Sequence, residues 1–346
     1  MLINEKSPHG GDIYTHPVRL DFSANLNPAG MPEAVRDALK QAALNCAAYP
    51  DPYCTALREG IAGAEGVPAK TVLCGNGATE LIYAFAYALP KDRPALIVSP
   101  AFSEYEAALR AAGILAEHFI LSEKDGFRVT DTLPETDFSR YGAVFVCSPN
   151  NPTGITAEER IIRSLAQSGV RVFLDLTFLD LTDDPGKYDI PALAGAYPNL
   201  TVLRAFTKSY AMAGVRLGYV LCSDTVFLTK MSEKTQCWNV SSLAQAAGAA
   251  ALGCGEWLRD SVKEIASERA RMTEELRKLG IRVFPGEANY LLLYAETDLC
   301  GEMLKRGILL RDCSDYIGLR KGFARIAVRT KKENDALLAA LREVSG

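Results

Sequence analysis

The chain has 346 residues, of which 48% are hydrophobic and 23% are charged, and its formal net charge at pH 7 is -4. A chain of this length can bury a large core and usually divides into more than one domain. The acidic balance provides no basic field for a phosphate backbone, which argues against a nucleic-acid partner.

Neither a membrane span nor an export signal is predicted. The longest apolar stretches, such as 246–252, fall far short of the roughly 20 residues that a membrane-spanning helix needs. The first residues show no basic start followed by an apolar run, so we expect a cytoplasmic protein. The nine cysteines form no CxxC pair and the three histidines are dispersed, so we expect neither a disulfide framework nor a bound metal.

The first half of the chain has the pattern of a sheet covered by helices. Two helices are predicted ahead of any strand, over 32–45 and 54–64. Short β-branched runs then alternate with segments of helical period: strands at 71–74, 95–98, 143–147, 170–174, 200–204 and 217–221, and helices at 78–89, 103–112 and 157–168. This alternation predicts an α/β fold with a mostly parallel, mixed sheet.

After residue 221 the pattern changes. Helices are predicted over 241–252 and 255–279, then strands at 281–284, 290–293, 308–311 and 324–328, with helices at 298–306 and 331–344. This succession indicates a smaller α+β domain. We therefore predict a large domain over about 30–235, and a second unit made of 1–29 and 236–346 that includes the long connecting helix.

Several polar motifs fall at or just after the ends of predicted strands. They are 75–80 (Gly-Asn-Gly-Ala-Thr-Glu), 148–154 (Ser-Pro-Asn-Asn-Pro-Thr-Gly), Asp175, and Thr207-Lys208 with Arg216 eight residues further on. In a parallel α/β sheet these ends line one crevice, where ligands bind. The first motif opens a helix, whose N–H groups and dipole favour a phosphate. A dinucleotide-binding fingerprint would need a third glycine at the position of Glu80, so this motif argues against a dinucleotide cofactor.

Each motif also has a simple structural interpretation. Residues 150–154 favour turns, Asp175 could be a strand-end acid, and a lysine after a strand is often a surface residue. Their combination favours chemistry, because a buried carboxylate needs a cationic or donor partner. A lysine in a desolvated cleft has a depressed pKa and forms imines, and Arg216 can offset the charge of a phosphate.

Together these residues resemble the fold-type I enzymes that depend on pyridoxal 5′-phosphate (PLP), the aminotransferase superfamily, over essentially the whole chain. The sequence is most similar to the branch that holds histidinol-phosphate aminotransferases and the threonine-phosphate decarboxylases of cobalamin synthesis. The segments that carry this similarity are His9-Gly-Gly-Asp-Ile, 21–28, Tyr49-Pro-Asp, 75–77, 311–319 and 325–329. The His-Gly-Gly start and the paired arginines favour the decarboxylases.

The resemblance implies a role for each motif. Lys208 would hold PLP as a Schiff base and carry protons, and Asp175 would keep the pyridine nitrogen protonated. Phe102 would stack on the ring, and Asn151 would donate to its O3′ oxygen. The phosphate of PLP would be bound by Gly77, Ala78, Thr79, Thr207, Arg216 and Tyr49, the last from the neighbouring subunit of a homodimer with shared active sites.

The resemblance also indicates a small phosphorylated amino acid as the substrate. Arg325 would bind the carboxylate of that substrate by a bidentate contact. Further candidates for contacts with the substrate's phosphate or carboxylate are His9, Asn25, Asn151 and Arg329.

Two positions depart from the family pattern. Phe178 stands where many relatives carry a tyrosine, which removes one donor to O3′, and the decarboxylases look similar there. Ala205 stands where relatives place a hydroxyl residue, so the PLP phosphate loses a hydrogen bond worth about 1 kcal/mol. We expect a modest weakening of PLP binding.

Three functions remain as alternatives. The leading one is the decarboxylation of O-phospho-L-threonine or O-phospho-L-serine to a phosphorylated amino alcohol for the nucleotide loop of a cobamide. The second is an aminotransferase of the histidinol-phosphate type, because the sequence does not give the angle at which the arginines hold the substrate carboxylate. The third is a PLP-binding protein without catalysis, as in PLP-dependent transcription regulators.

Overall fold

The computed structural model describes residues 9–16 and 18–345. The strands are β1 Leu20–Asp21, β2 Val72–Gly75, β3 Ala95–Ser99, β4 Ala116–Ile120, β5 Ala143–Cys147, β6 Arg171–Asp175, β7 Leu200–Ala205, β8 Gly218–Leu221, β9 Arg282–Val283, β10 Tyr290–Tyr294, β11 Ile308–Leu309, β12 Arg311–Asp312 and β13 Phe323–Ala327. The helices are α1 Glu33–Ala43, α2 Thr55–Glu65, α3 Gly77–Ala88, α4 Glu104–Ala112, α5 Glu159–Gln167, α6 Ile190–Ala196, α7 Phe206–Ser209, α8 Thr225–Ser232, α9 Ser242–Leu252, α10 Gly255–Lys278, α11 Leu299–Lys305 and α12 Lys331–Ser345. Within the described ranges, every helix is too short or too polar to cross a bilayer.

Seven strands form the large sheet, in the order β2-β8-β7-β6-β5-β3-β4. Neighbouring strands from β7 to β4 run parallel, and β8 runs antiparallel to both β2 and β7. Apolar clusters cover both faces of this sheet, which explains why β5 is a continuous run of buried residues without polar alternation. The predicted α/β class with a mostly parallel, mixed sheet is confirmed.

The register of the large sheet brings the ends of its central strands together. Cys147 at the end of β5 is opposite Asp175 at the end of β6. Ala205 at the end of β7 and Gly75 at the end of β2 both pair with Gly218, the first residue of β8. The segments that follow these strands therefore start side by side along one edge of the sheet.

A second, smaller sheet has the order β12-β13-β10-β9 and is antiparallel throughout. It shares a separate core with helices α10, α11 and α12, and Phe22 from the N-terminal segment is fully buried in that core. The short strand β1 pairs with β11, which attaches the N-terminal segment to this part of the chain. The division into 30–235 and 1–29 with 236–346 stays a prediction.

Some elements escaped sequence analysis for physical reasons. Strand β4 is an outer strand with the sequence Ala-Glu-His-Phe-Ile, which has no apolar run and is only half-buried. Helices α6 and α8 have seven and eight residues, too few to establish a helical period. Each begins instead at an aspartate, Asp189 or Asp224, whose side chain accepts a hydrogen bond from a backbone N–H of the first turn.

Candidate active site

A cavity of about 480 Å³ opens at the edge of the large sheet where the central strands end. The predicted site residues that line it are His9, Asn25, Ala78, Thr79, Phe102, Asn151, Asp175, Thr207, Lys208, Arg216 and Arg325. Two parts of the chain that are distant in sequence, the strand ends of the large sheet and strand β13 of the small sheet, therefore meet around one space.

Lys208 lies on the single turn of α7, directly after β7. The backbone carbonyl of Lys208 accepts a hydrogen bond from the Asn27 N–H at 3.0 Å, and the Asn27 side chain donates to the carbonyl of Ser209 at 2.9 Å. On the other side, the Ser209 hydroxyl donates to Asp180 at 3.1 Å. These bonds hold the turn rigidly, so that the half-buried lysine lines the cavity.

The environment of Lys208 disfavours its charged form. Burial, together with the positive charges of Arg325 and Arg216, lowers the pKa of the Lys208 ammonium to about 8, while the Asp175 carboxylate acts in the opposite direction. The ordinary value for a lysine is about 10.4. At pH 7 roughly a tenth of the lysine is therefore a free, nucleophilic amine, far more than for a lysine with the ordinary pKa.

Asp175 is 5% exposed, and each of its two carboxylate oxygens accepts one hydrogen bond. Oδ1 accepts from the Thr177 N–H at 2.9 Å, and Oδ2 accepts from the Tyr105 hydroxyl at 2.6 Å. Burial raises the pKa of the Asp175 carboxyl, whereas these hydrogen bonds and the charge of Lys208 oppose that rise. Among the described residues, no cationic side chain lies within salt-bridge distance of it, so a cationic ligand group would supply the missing counter-charge.

The N-terminus of α3 forms one wall of the cavity, which Ala78 and Thr79 line. Gly77 has φ +79°, and a Cβ atom there would overlap the Arg216 guanidinium. The helix end also rests on Gly218, where a Cβ atom would come within 2.9 Å of the Ala78 nitrogen. These two glycines let Arg216 and the free N–H groups of the first turn converge, which suits a phosphate.

Arg325 and Asn151 are joined where the small sheet meets the cavity. One Arg325 nitrogen donates to the Asn151 side-chain oxygen, which also accepts from the Tyr316 hydroxyl at 3.2 Å. The second terminal nitrogen of Arg325 donates to the carbonyl of Ser23 at 2.7 Å. Because its oxygen is used in this way, the Asn151 amide is oriented with its NH₂ group towards other partners.

Arg325 and Asn25, two buried side chains of the cavity, have polar atoms without a hydrogen-bond partner. Arg325 is 5% exposed, its Nε is unpartnered, and no carboxylate among the described residues lies within 4 Å of its guanidinium. Asn25 is 2% exposed, and both polar atoms of its side chain are unpartnered. Buried polar groups normally have hydrogen-bond partners. The unpartnered atoms of Arg325 and Asn25 therefore indicate a bound anion that pairs with the guanidinium and forms hydrogen bonds with the amide.

Three candidates from the sequence are not among the residues that line the cavity. Gly77 directly precedes the lining residue Ala78 at the start of α3, whereas Arg329 and Tyr49 lie elsewhere. Arg329 follows the end of β13, and its guanidinium is bound to Glu333 at 2.8 and 2.9 Å, so the structure does not bring it to the predicted substrate site. Tyr49 is 78% exposed and stacks on Trp238 with ring centroids 4.4 Å apart. Within one chain, Tyr49 does not line the cavity, and its part in a neighbouring subunit's site stays a prediction.

The structure adds residues that sequence reasoning missed. Arg311 lines the cavity, since it is directly opposite Arg325 in the register of β12 and β13. Its terminal nitrogen also pairs with Asp315 at 2.8 Å. Tyr105 lies one helical turn after Phe102, and Glu104 next to it contacts His9 at 2.8 Å. Of these residues, only Arg311 lies in a segment that carries the family similarity, 311–319. The positions of Tyr105 and Glu104 in the site depend on contacts that the sequence does not reveal.

Comparisons with known proteins show the family to which the chain belongs. The sequence matches the family described as aminotransferase class I and II over residues 17–341. It is 38% identical to the threonine-phosphate decarboxylase of Salmonella typhimurium, over 98% of this chain and 96% of that protein. It is 30% identical to an adenosylcobalamin biosynthesis bifunctional protein of Leptospira interrogans, over 94% of this chain but 38% of that protein. A crystal structure of histidinol-phosphate aminotransferase from Clostridium acetobutylicum superposes with a TM-score of 0.87 at 28% identity, covering 94% of this chain and 99% of that one.

The depressed pKa of Lys208 can be measured directly. We expect competitive acetylation of the cofactor-free protein to give a titration midpoint near pH 8 for Lys208. Arg325→Gln should move this midpoint upwards, because it removes a positive charge that disfavours the ammonium form. A midpoint above about pH 10, the ordinary range for lysine, would contradict the described environment.

Proposed function

This chain belongs to the aminotransferase class I and II family, and on that basis we propose that it is a PLP-dependent decarboxylase of an O-phospho-L-amino acid, O-phospho-L-threonine or O-phospho-L-serine. That it is an enzyme that depends on PLP follows from the family and from its relatives. The choice of reaction and substrate is the proposal. The observation that carries the choice of reaction is the 38% identity to the threonine-phosphate decarboxylase of Salmonella typhimurium. An anionic substrate is supported by the buried Arg325 guanidinium, which has no carboxylate partner among the described residues, beside Arg311 in the same cavity.

The residues of the cavity fit PLP. Asp175 would pair with the protonated ring nitrogen, and Phe102, whose ring lies 5.9 Å from that of Tyr105 in an edge-on arrangement, would stack on the ring. Asn151 would donate to O3′. The phosphate would be bound by the wall formed from Gly77, Ala78, Thr79, Thr207 and Arg216. Lys208 would bind the aldehyde carbon, for which its amine must be neutral.

The remaining charges suit a substrate with two anionic groups. Arg325 would bind the carboxylate in a bidentate manner, and the unpartnered amide of Asn25 would complete its hydrogen bonds. Arg311 and His9 line the same cavity and are the candidates to bind a phosphate on the substrate's side chain. Because Arg311 and Arg325 are opposite each other on adjacent strands, an anion between them relieves like-charge repulsion.

The proposed reaction needs one bond broken and one proton delivered. When bound, PLP withdraws electrons from the bonds at the substrate's Cα. The arginines select which of these bonds breaks by the angle at which they hold the carboxylate. If the bond from Cα to the carboxylate breaks, CO₂ leaves, and the Lys208 ammonium delivers a proton to Cα in its place.

An aminotransferase of the histidinol-phosphate type is the second candidate. The structural similarity to the Clostridium acetobutylicum enzyme supports it, and the same residues would serve it. In that reaction Lys208 would remove the proton from Cα instead of delivering one. We prefer the decarboxylase because of the 38% identity to the Salmonella typhimurium protein over nearly the full length of both chains.

The product would be a phosphorylated amino alcohol, and we propose that it serves the nucleotide loop of a cobamide. The similarity to the bifunctional protein of adenosylcobalamin biosynthesis supports this context. A cytoplasmic location remains a prediction from the sequence.

The reaction is tested with purified protein, PLP and O-phospho-L-threonine. We expect CO₂ release that does not require 2-oxoglutarate. Arg325→Gln should lower kcat/KM about 100-fold, since it leaves the substrate carboxylate without its charged partner. Arg329→Gln is the matched control, because Arg329 is bound to Glu333 outside the cavity, and it should leave the rate within about twofold. Formation of an oxo acid that depends on 2-oxoglutarate, without CO₂, would establish the aminotransferase instead.

We further propose a homodimer in which Tyr49 contacts the PLP phosphate of the neighbouring subunit. Tyr49, Tyr53 and Leu44 are large, strongly exposed side chains close together in the sequence, and Trp238 lies against Tyr49. An exposed cluster of aromatic and apolar groups is typical of an interface.

Subunit mixing tests the shared site. Lys208→Ala and Tyr49→Ala should each give a weakly active or inactive protein. In a mixed dimer, one site would contain both Lys208 and the partner's Tyr49, so mixing equal amounts should restore about a quarter of the wild-type activity. If Tyr49 serves its own subunit or neither, mixing will give no more than the average of the two variants.

A further inference from the structure

Residues His9, Gly10 and Gly11 are here called the N-terminal strap, and the first two of them line the cavity. A Cβ atom on Gly10 would overlap the backbone carbonyl of Ser23, the same oxygen that accepts a hydrogen bond from Arg325. The Gly11 N–H donates to the Ser23 hydroxyl at 2.7 Å, and Gly11 has φ +86°. The strap therefore packs against Ser23, whose carbonyl also positions Arg325.

The strap brings His9 to a defined place at the cavity mouth. Its ring lies 5.5 Å from that of Phe102, tilted by 47°, and its Nε2 is 2.8 Å from the Glu104 carboxylate. The other carboxylate oxygen of Glu104 accepts from the Tyr83 hydroxyl at 3.2 Å, which holds the acid from the opposite side. His9 is thus held between an aromatic face and a positioned carboxylate.

Glu104 lies in the first turn of α4, only two residues after Phe102, and it lines the cavity. A carboxylate at this place is unexpected in a site built for anions, since by itself it would repel a phosphate. The contact with His9 resolves this conflict, because the carboxylate is engaged by the imidazole and fixes the direction of that ring. Consistently, the hydrogen bond from His9 lowers the pKa of Glu104.

We propose that Glu104 is a positioning residue that orients the His9 imidazole towards the substrate's phosphate in the cavity, and so makes the site select phosphorylated over unphosphorylated amino acids. This inference rests on the proposed function, because it concerns the same substrate. Glu104 itself would contact neither the phosphate nor PLP. The placement of His9 beside Glu104 explains the His-Gly-Gly sequence. Both glycines allow the strap to approach Ser23 closely, which places His9 next to Glu104.

The test compares the binding of O-phospho-L-threonine and L-threonine by equilibrium dialysis. All proteins are loaded with PLP and carry Lys208→Ala, so that turnover is blocked and the result does not depend on which reaction follows. Glu104→Gln keeps the shape of the side chain and removes its charge. We expect it to weaken O-phospho-L-threonine about tenfold and L-threonine less than about twofold.

Three further variants make the outcome specific. Glu106→Gln removes a charge two residues further along α4, away from His9, and should change neither affinity. Gly10→Ala displaces the strap and should reproduce the loss seen with Glu104→Gln. In a His9→Gln background, Glu104→Gln should have no additional effect, because Glu104 acts through His9.

The possible failures are distinguishable. If the parent protein binds the two ligands equally, the proposed phosphorylated substrate is wrong. If it prefers O-phospho-L-threonine but Glu104→Gln leaves that preference unchanged, only the role of Glu104 is overturned. Tighter binding of O-phospho-L-threonine by Glu104→Gln would also overturn it, since Glu104 would then act as a repelling charge.

Discussion

The active site depends on buried charges that do not neutralise one another. Arg325 has no carboxylate and Asp175 no cationic side chain within salt-bridge distance among the described residues, although both are 5% exposed. Unpaired buried charges cost several kcal/mol each, so a fold keeps them only where a ligand supplies the counter-charges. A ligand with a cationic ring nitrogen and separate anionic groups satisfies both. The lowered pKa of Lys208 has the same origin, since burial and the arginines disfavour its charged form.

The large sheet explains how these charges meet. Its register aligns the ends of β5 and β6, so that Asp175 and the segment containing Asn151 emerge side by side. The Lys208 turn is held from the N-terminal segment by Asn27, whose side-chain NH₂ group also donates a hydrogen bond to the Ser261 hydroxyl of the long helix α10 at 2.8 Å. The position of the lysine therefore depends on three parts of the chain that are far apart in sequence. Mutations at such fastening points can alter the chemistry without touching a ligand.

Much of the fold and half of the site could be predicted from the sequence, because they are local properties. Strand β5 is a continuous apolar run, and Asp175 and Lys208 directly follow such runs, which the order of residues reveals. The arginines could not be placed in this way. Arg325 and Arg329 are four residues apart, which suggests a common face of a strand, but β13 ends at Ala327 and Arg329 turns to Glu333. Arg311 reaches the cavity through strand pairing, and pairing register is a property of the folded chain.

We propose that the Lys208 amine binds PLP covalently within a cavity whose charges are complementary to it. Reduction of the PLP-loaded protein with borohydride, followed by peptide mass analysis, tests this most directly. The account predicts one pyridoxyl group per chain, attached to Lys208. A pyridoxyl group on another lysine, or none on any, would contradict it.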